Sequence, residues 1–258
     1  MSRTSERAVI LAAGAGTRLV GSDIPRPKCL APFDGVPLID LQMRALHSCG
    51  IDDVTVVIGF EADLVRRACG PAVRFIENSE YAQTNSLYSL WLARPLLQGS
   101  VVIMNCDVLF HPMLLLDLVT SWHDEAVLVA HPEPDAPPFG EEEMKVRVRR
   151  GRVVEMSKDL PVHHADGENV GIVRFGARGA PALARVLDRL VTAGHVRDWA
   201  PRAFAEYARR HPLFAVGTRG LPWTEIDTAD DYAYAARRIF PAIREDLQAL
   251  APPLRRGA

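Results

Sequence analysis

Up to Asp107 the chain alternates between short apolar runs and longer amphipathic ones, and this rhythm limits the fold more than any other feature of the sequence. "RAVILAA", "DVTVVIGF", "AVRFIEN" and "SVVIMNCD" are short, apolar and rich in β-branched residues, as strands buried on both faces are. Between them, "PLIDLQMRALHSCG" carries Leu38, Ile39, Leu41, Met43 and Leu46 at helical spacing and stops at Gly50. "EADLVRRACG" stops at a glycine of its own, and "SLYSLWLARPLL" is also helical. The alternation predicts an α/β fold with a doubly wound, mostly parallel sheet and ligands at the carboxyl ends of its strands.

After Asp107 the pattern changes. "AVLVAH", "KVRVRRGRVVEMS", "NVGIVRFG" and "LFAVGT" read as strands, "APALARVLDRLVTAG" and "DWAPRAFAEYARR" as helices, so this part is expected to be a mixed C-terminal extension. "PRPKCLAPFDG" reads as a loop. The proline-rich 131–143 stretch is a second loop, either a lid or a bulge, and "APPLRRGA" a tail. With 258 residues and 48% hydrophobic content, one elaborated domain is expected over 1–240, followed by a helix end and tail over 241–258.

A net charge of −2 supplies no field for nucleic acid or an anionic membrane, so anion binding has to be local. The basic run from Lys145 to Val154 alternates with valines, as one strand with a solvated face would. Cys29, Cys49, Cys69 and Cys106 are widely spaced and read as reduced thiols. No leader pattern opens the chain, and no apolar run approaches the roughly 18 residues that span a bilayer. A cytoplasmic protein is the expectation.

The first strand ends in "AVILAAGAGTRL". Gly14 and Gly16 let the backbone approach a ligand and expose N–H donors at a helix start, which suits phosphate. The stretch lacks both the G-x-G-x-x-G and the G-x-x-x-x-G-K-[ST] patterns. Asp107 follows a buried strand at the ligand end of the sheet and could hold Mg²⁺, with Asp227 of "WTEIDTADDY" as a second carboxylate; each also has an ordinary reading as a helix cap. Only three of the 30 basic residues are lysines, Lys28, Lys145 and Lys158, and Lys28 stands among prolines that stiffen its backbone. Arg18 offers a planar fork to phosphate oxygens. His163 and His164 are adjacent in a polar loop and read as exposed.

Taken in order, "LAAGAGTRL", "PRPKCL", a strand ending in Cys-Asp and a late "EID" resemble the nucleotidyltransferases that make nucleoside-diphosphate sugars and alcohols. The resemblance runs from Ala8 to about Tyr234 and implies a Rossmann-like, GT-A-like nucleotidyltransferase fold, with a nucleotide-binding half over about 8–110 and an acceptor-binding half over about 111–240. It further implies that Leu11, Ala12, Ala13, Gly14, Ala15, Gly16 and Thr17 wrap the triphosphate, that Arg18 and Lys28 hold phosphates, and that Asp107 and Asp227 bind Mg²⁺. "ENSEYAQTNSLYSLWLA" is similar to the branch of phosphocholine, inositol-1-phosphate and phosphonate cytidylyltransferases. By that likeness Gln83, Asn85 and Ser86 lie near the base, Lys158 reaches the acceptor phosphate, and Glu168 and Asn169 face the acceptor's organic part. Ser157-Lys158-Asp159 stands where the sugar enzymes have Glu-Lys-Pro.

Tyr81, Tyr88, Trp91, Trp199 and Trp223 lie near the acceptor motifs and would suit a cage for a quaternary ammonium, Tyr88 and Trp223 above all; ordinary core packing is the other reading. The expected partners are an NTP, CTP first, and a small phosphorylated or phosphonate acceptor, without nucleic acid or membrane. A homodimer is one oligomeric state left open. An acceptor that is already an anion needs no general base or covalent residue, in keeping with a sequence that has no Ser-His-Asp or Cys-His pattern. The alternatives are a sugar-1-phosphate nucleotidyltransferase using UTP, dTTP or GTP, and a nucleotide-binding regulatory subunit without turnover.

Overall fold

The computed structural model describes residues 6–16, 27–132 and 139–250. Along the first strand, β1 (Arg7–Ala12), successive side chains point to opposite faces and both sets are apolar. Val9 and Leu11 enter one core layer, and Ala8, Ile10 and Ala12 the other. Such a strand has to lie inside a sheet covered on both sides.

The chain continues through a small hairpin, β2 (Pro32–Phe33) and β3 (Val36–Pro37), then α1 (Leu38–Ser48), β4 (Asp53–Ile58), α2 (Ala62–Cys69), β5 (Arg74–Glu77), α3 (Ser86–Leu92) and β6 (Val101–Asn105). The hairpin falls where the sequence suggested only a loop; Asp34 and Gly35, both at positive φ, make its turn. Strands β5, β4, β1 and β6 are neighbours in that order and all parallel. Ile39, Met43 and Leu46 of α1 pack on the side of Ile10, whereas Leu87 and Leu90 of α3 pack on the side of Val9. This is the expected double winding. Leu46 and Leu90 are fully buried, so truncating either to alanine should cost about 2–5 kcal/mol.

The second half comprises β7 (Val108–Phe110), α4 (Pro112–Val119), β8 (Ala126–Ala130), β9 (Lys145–Arg149), β10 (Arg152–Ser157), β11 (Gly167–Phe175), α5 (Gly179–Thr192), α6 (Pro201–Ala208), β12 (Phe214–Gly217), β13 (Trp223–Glu225), α7 (Ala229–Tyr234), a π-helical turn over Ala235–Ile239, and α8 (Phe240–Ala249). Strand β11 runs antiparallel to β6, and the nine-stranded sheet has the order β5-β4-β1-β6-β11-β8-β12-β10-β9. The mixed extension is therefore continuous with the parallel part. Two further features of this half differ from the sequence reading. The run Lys145–Val154 is not one strand, because Arg150 and Gly151, both at positive φ, fold it into the β9–β10 hairpin. Elements β7 and α4 occupy a stretch the sequence reading passed over. Beyond 240, where a helix end was expected, Phe240, Ile243 and Leu247 of α8 belong to a third core layer with Leu38 and Leu41 of α1. Residues 133–138 of the proline-rich loop and the tail 251–258 lie outside the described residues.

All four cysteines are free. His163 and His164 are exposed as expected. No helix among the described residues is long and apolar enough to cross a membrane.

Candidate active site

A cleft of about 310 Å³ opens at the carboxyl ends of β1 and β6, where a parallel sheet presents its loops. The Ala13 carbonyl at the end of β1 accepts a hydrogen bond from the Phe60 N–H at 3.0 Å, which staples the glycine loop to the end of β4. Gly59 permits this approach, since a Cβ there would stand 2.8 Å from both the Ala13 carbonyl oxygen and Tyr81 Cβ. Gly14 is the opposite case. A Cβ on it would meet nothing within 4 Å, leaving backbone bare toward the cleft. Gly16 has φ +56°, and a Cβ there would be 3.1 Å from Lys28 Cγ, so the loop and the lysine stem are in contact. Leu11, Ala13, Gly14 and Gly16 line the cleft, while Ala12 is buried behind them. Thr17 and Arg18 lie outside the described residues.

Opposite the loop stands a group of carboxylates. Asp107 occupies the turn after β6, and β7, which starts at the next residue, pairs antiparallel with β13 so that Val108 faces Glu225. The Ile226 N–H donates to the Asp107 carbonyl at 2.9 Å, fixing the two segments together. Residues 225 and 227 are two apart on extended chain and therefore share a face. Asp107, Glu225 and Asp227 can bring carboxylate oxygens within 4.8 Å of one another. Asp227 is not a helix cap: Thr228 caps α7, in a capping box with Asp231.

Lys28 Nζ is 3.2 Å from Asp107 Oδ2 and also bonds Asp227. Burial opposes its charge, yet Asp107 and Asp227 outweigh burial and hold the ammonium above its ordinary range. Burial also raises the Asp107 carboxyl, against the pull of Lys28. Glu225 is pushed well above the usual carboxylate range, first by burial and then by Asp107 and Asp227. Three carboxyls thus share one ammonium, and an all-oxygen set with that charge deficit fits a hard divalent cation such as Mg²⁺. Glu225 was not singled out from the sequence; its signal is the spacing of two within "EID".

The wall beyond the loop is made by Asn78 and the start of α3. Asn78, 1% exposed, donates to Thr84 Oγ1 and Ser89 Oγ at 3.1 Å each and accepts from the Glu80 N–H, so it holds the 80–89 segment in shape. Asn85 and Ser86 line the cleft; Gln83 is not among its lining residues. The Asn85 side chain caps the Ser86 N–H at 2.8 Å, and the Ser86 hydroxyl accepts from the Ala200 N–H at 2.8 Å.

On the remaining side, Lys158 at the end of β10 bonds Glu142 at 2.9 Å and sits 4.6 Å from the ring centre of Trp199. Asn169 and Met144 complete this wall, tied by an Asn169 N–H to Met144 carbonyl bond at 2.9 Å. Its neighbour Glu168 lines an adjoining recess with Trp223, which shares Glu225 and Asp227 with the cleft. Burial and the nearby Glu143 carry Glu168 to about 7, although Lys145 pulls the other way. The five aromatics do not form one cage. Tyr81 and Trp199 line the cleft. Tyr88 stacks on Trp91 at 5.2 Å, and Trp91 Nε1 donates to Asp188 of α5, outside the cleft lining. Trp223 lies in β13, in the recess of Glu168.

A bare glycine loop, a lysine and clustered carboxylates at the carboxyl end of a doubly wound sheet define a nucleotide-handling α/β protein of the nucleotidyltransferase class. The chain belongs to the MobA-like NTP transferase domain family, which it matches over residues 8–245. It is 32% identical over 228 residues to the bifunctional IPC transferase and DIPP synthase of Rubrobacter xylanophilus, covering 87% of this chain and 50% of that protein. It is 37% identical over 118 residues to the choline-phosphate cytidylyltransferase of Streptococcus pneumoniae, covering 45% of this chain and 51% of that one. The chain thus spans about half the length of these two relatives. In fold it is similar to the solved CTP:phosphocholine cytidylyltransferase of Streptococcus pneumoniae, with a TM-score of 0.73 at 24% identity over 90% of this chain and 98% of that one.

Proposed function

We propose that the chain is a cytidylyltransferase that joins CMP from CTP to a phosphorylated alcohol or a phosphonate and releases pyrophosphate. The observation that carries this reading is the position of Lys28 and the Asp107, Glu225 and Asp227 carboxylates, which face the glycine loop in the same cleft as Lys158. The named activities of the relatives support the choice of CTP and of a phosphorylated acceptor. In this reading residues of about 8–110 supply the nucleotide side and those of about 111–240 the acceptor side, all within the cytoplasm.

The loop Ala13–Gly16, set in place by Leu11 and Ala12 at the end of β1, lies against the triphosphate, joined by Thr17 and Arg18. Asn78 shapes the wall that carries Asn85, which faces the base, with Gln83 on the same segment but outside the lining of the cleft. Lys158 receives the acceptor's phosphate or phosphonate, and Asn169, Trp199 and Glu142 face its organic part, with Glu168 and Trp223 contributing from farther out. An acceptor oxygen attacks the α-phosphorus, a new P–O bond forms there, and the bond to the β-phosphate oxygen breaks. Pyrophosphate leaves with the electron pair. A phosphate monoester is mostly dianionic at neutral pH, so no proton has to move and no general base is needed. Asp107, Glu225 and Asp227 would hold Mg²⁺, which would supply charge neutralisation at the phosphates. Lys28 and Lys158 bring two anions together and neutralise the charge that develops between them.

The test is pyrophosphate release with CTP, UTP, GTP and dTTP, each crossed with phosphocholine, inositol 1-phosphate, 2-aminoethylphosphonate and glucose 1-phosphate. We expect CTP with one of the first three acceptors to be fastest. Glucose 1-phosphate with UTP or dTTP outpacing every CTP pair would establish a sugar nucleotidyltransferase instead. CTP binding without pyrophosphate from any pair would favour a silent regulatory subunit.

A further inference from the structure

The first turn of α3 is closed by a segment more than a hundred positions away in sequence. The Asn85 N–H donates to the Val196 carbonyl at 2.9 Å and the Leu87 N–H to the Asp198 carbonyl at 3.1 Å. In the opposite direction the Ala200 N–H donates to Ser86 Oγ at 2.8 Å, and Arg197 Nε to the Gln83 carbonyl at 3.3 Å. The Ser86 N–H is already taken by the Asn85 side chain, and the Tyr88 N–H by the Asn85 carbonyl at 3.0 Å. Every backbone donor from 85 to 88 therefore has a protein partner, and the helix start is committed to holding residues 196–200 and not an anion.

In the middle of that segment is Trp199, 49% exposed, with its ring face 4.6 Å from Lys158 Nζ at the rim of the cleft. Half of an indole left in solvent beside a cation is poorly placed for core packing and well placed to bound a ligand. The position of its backbone depends on the three bonds at 85–87 and the Arg197 contact, and among these Ser86 Oγ is the one side-chain acceptor from α3.

We propose that Ser86 is a positioning residue for the acceptor: its hydroxyl straps residues 196–200 down so that Trp199 stands against Lys158, and it does not read the base. This rests on the transferase reading above. The strap also links the two sides of the cleft, because the turn that begins at Asn85 on the nucleotide wall is the same turn that holds Trp199.

The experiment compares wild type with Ser86→Ala and Ser86→Thr. Removing the hydroxyl leaves the Ala200 N–H without its acceptor, so hydrogen exchange over 196–200 should speed up on the order of tenfold in Ser86→Ala and return toward wild type in Ser86→Thr. With CTP saturating, the KM for the best of the four acceptors should rise about fivefold or more in Ser86→Ala, while the calorimetric Kd for CTP with Mg²⁺ stays within about twofold. Ser86→Thr should recover most of that KM. A rise in CTP Kd with acceptor KM unchanged would make Ser86 a base-side residue and overturn the proposal, as would unchanged exchange and unchanged KM in Ser86→Ala. If wild type releases no pyrophosphate with any acceptor, the transferase reading fails and takes the acceptor role with it, while the exchange result still decides whether the strap exists.

Discussion

The two sides of the cleft are built on different principles. On the side proposed for the nucleotide, parallel strands β1 and β6 end in loops whose position is set by the register of the sheet, with Arg7 opposite Val101 and Leu11 opposite Asn105. The glycine loop and Asp107 therefore sit where the strands stop. On the side proposed for the acceptor the groups come from a hairpin end, an irregular strand and a connecting segment: Lys158 after β10, Asn169 in a stretch of β11 where the register shifts between Asn169 and Val173, and Trp199 before α6. The difference teaches that the glycine loop and the carboxylates are tied to the core of the sheet, whereas the groups proposed to meet the acceptor hang on local bonds that can change without disturbing it.

Substitutions can break or sharpen that contrast. The largest effect is expected at Asp107→Asn, which should lower kcat on the order of 10²-fold or more with the fold intact, as judged by circular dichroism. Near-normal turnover at saturating Mg²⁺ would remove the carboxylate cluster from the chemistry. Lys28→Arg should cost about tenfold or more in kcat/KM although the charge is kept, because a broad guanidinium cannot occupy the narrow space between Gly16 and the two aspartates. Wild-type rates in that variant would make Lys28 a bystander. CTP should be preferred over UTP by about tenfold in kcat/KM, roughly 1.4 kcal/mol, since a site that hydrogen-bonds the cytosine amino group leaves a partner unpaired with uracil.

The smallest effect concerns the recess of Glu168. Its carboxyl lies at about 7 in the folded chain against an ordinary value of 4.5, so the folded state holds a proton that the unfolded state has lost. The stabilisation this represents is complete below about pH 4.5 and is lost as pH rises toward 7. Glu168→Gln should therefore flatten the fall in Tm between about pH 5 and 7 relative to wild type. An unchanged Tm profile would mean that the recess does not burden this group.

The sequence was most legible where one strand decides the outcome. The run from Ala8 to Ala13 shows a doubly buried strand, and both the loop and Asp107 follow from strand ends. It was least legible where two distant segments have to be in register. Glu225 reaches Asp107 only because β7 and β13 pair, and neither three-residue strand is long enough to show a period. The aromatics mislead for a related reason. Tyr88 and Trp91 look like pocket residues by proximity to Asn85, but α3 turns them toward α5, and the direction of a helix face is fixed by what packs on it. The β9–β10 turn at Arg150–Gly151 interrupts an alternation that arginines and valines carry across it, and so it was masked by its own surroundings.

The pairing of β7 with β13 has a consequence for biosynthesis. As the chain leaves the ribosome, the glycine loop, Lys28 and Asp107 emerge long before Glu225 and Asp227, so the growing polypeptide passes through a stage with the proposed phosphate cradle and one carboxylate of the cluster. Only when the short strand at Trp223–Glu225 docks does the acidic cluster close. In the proposed reading, a chain that stops before residue 223 lacks two of the three carboxylates and has no complete cation site.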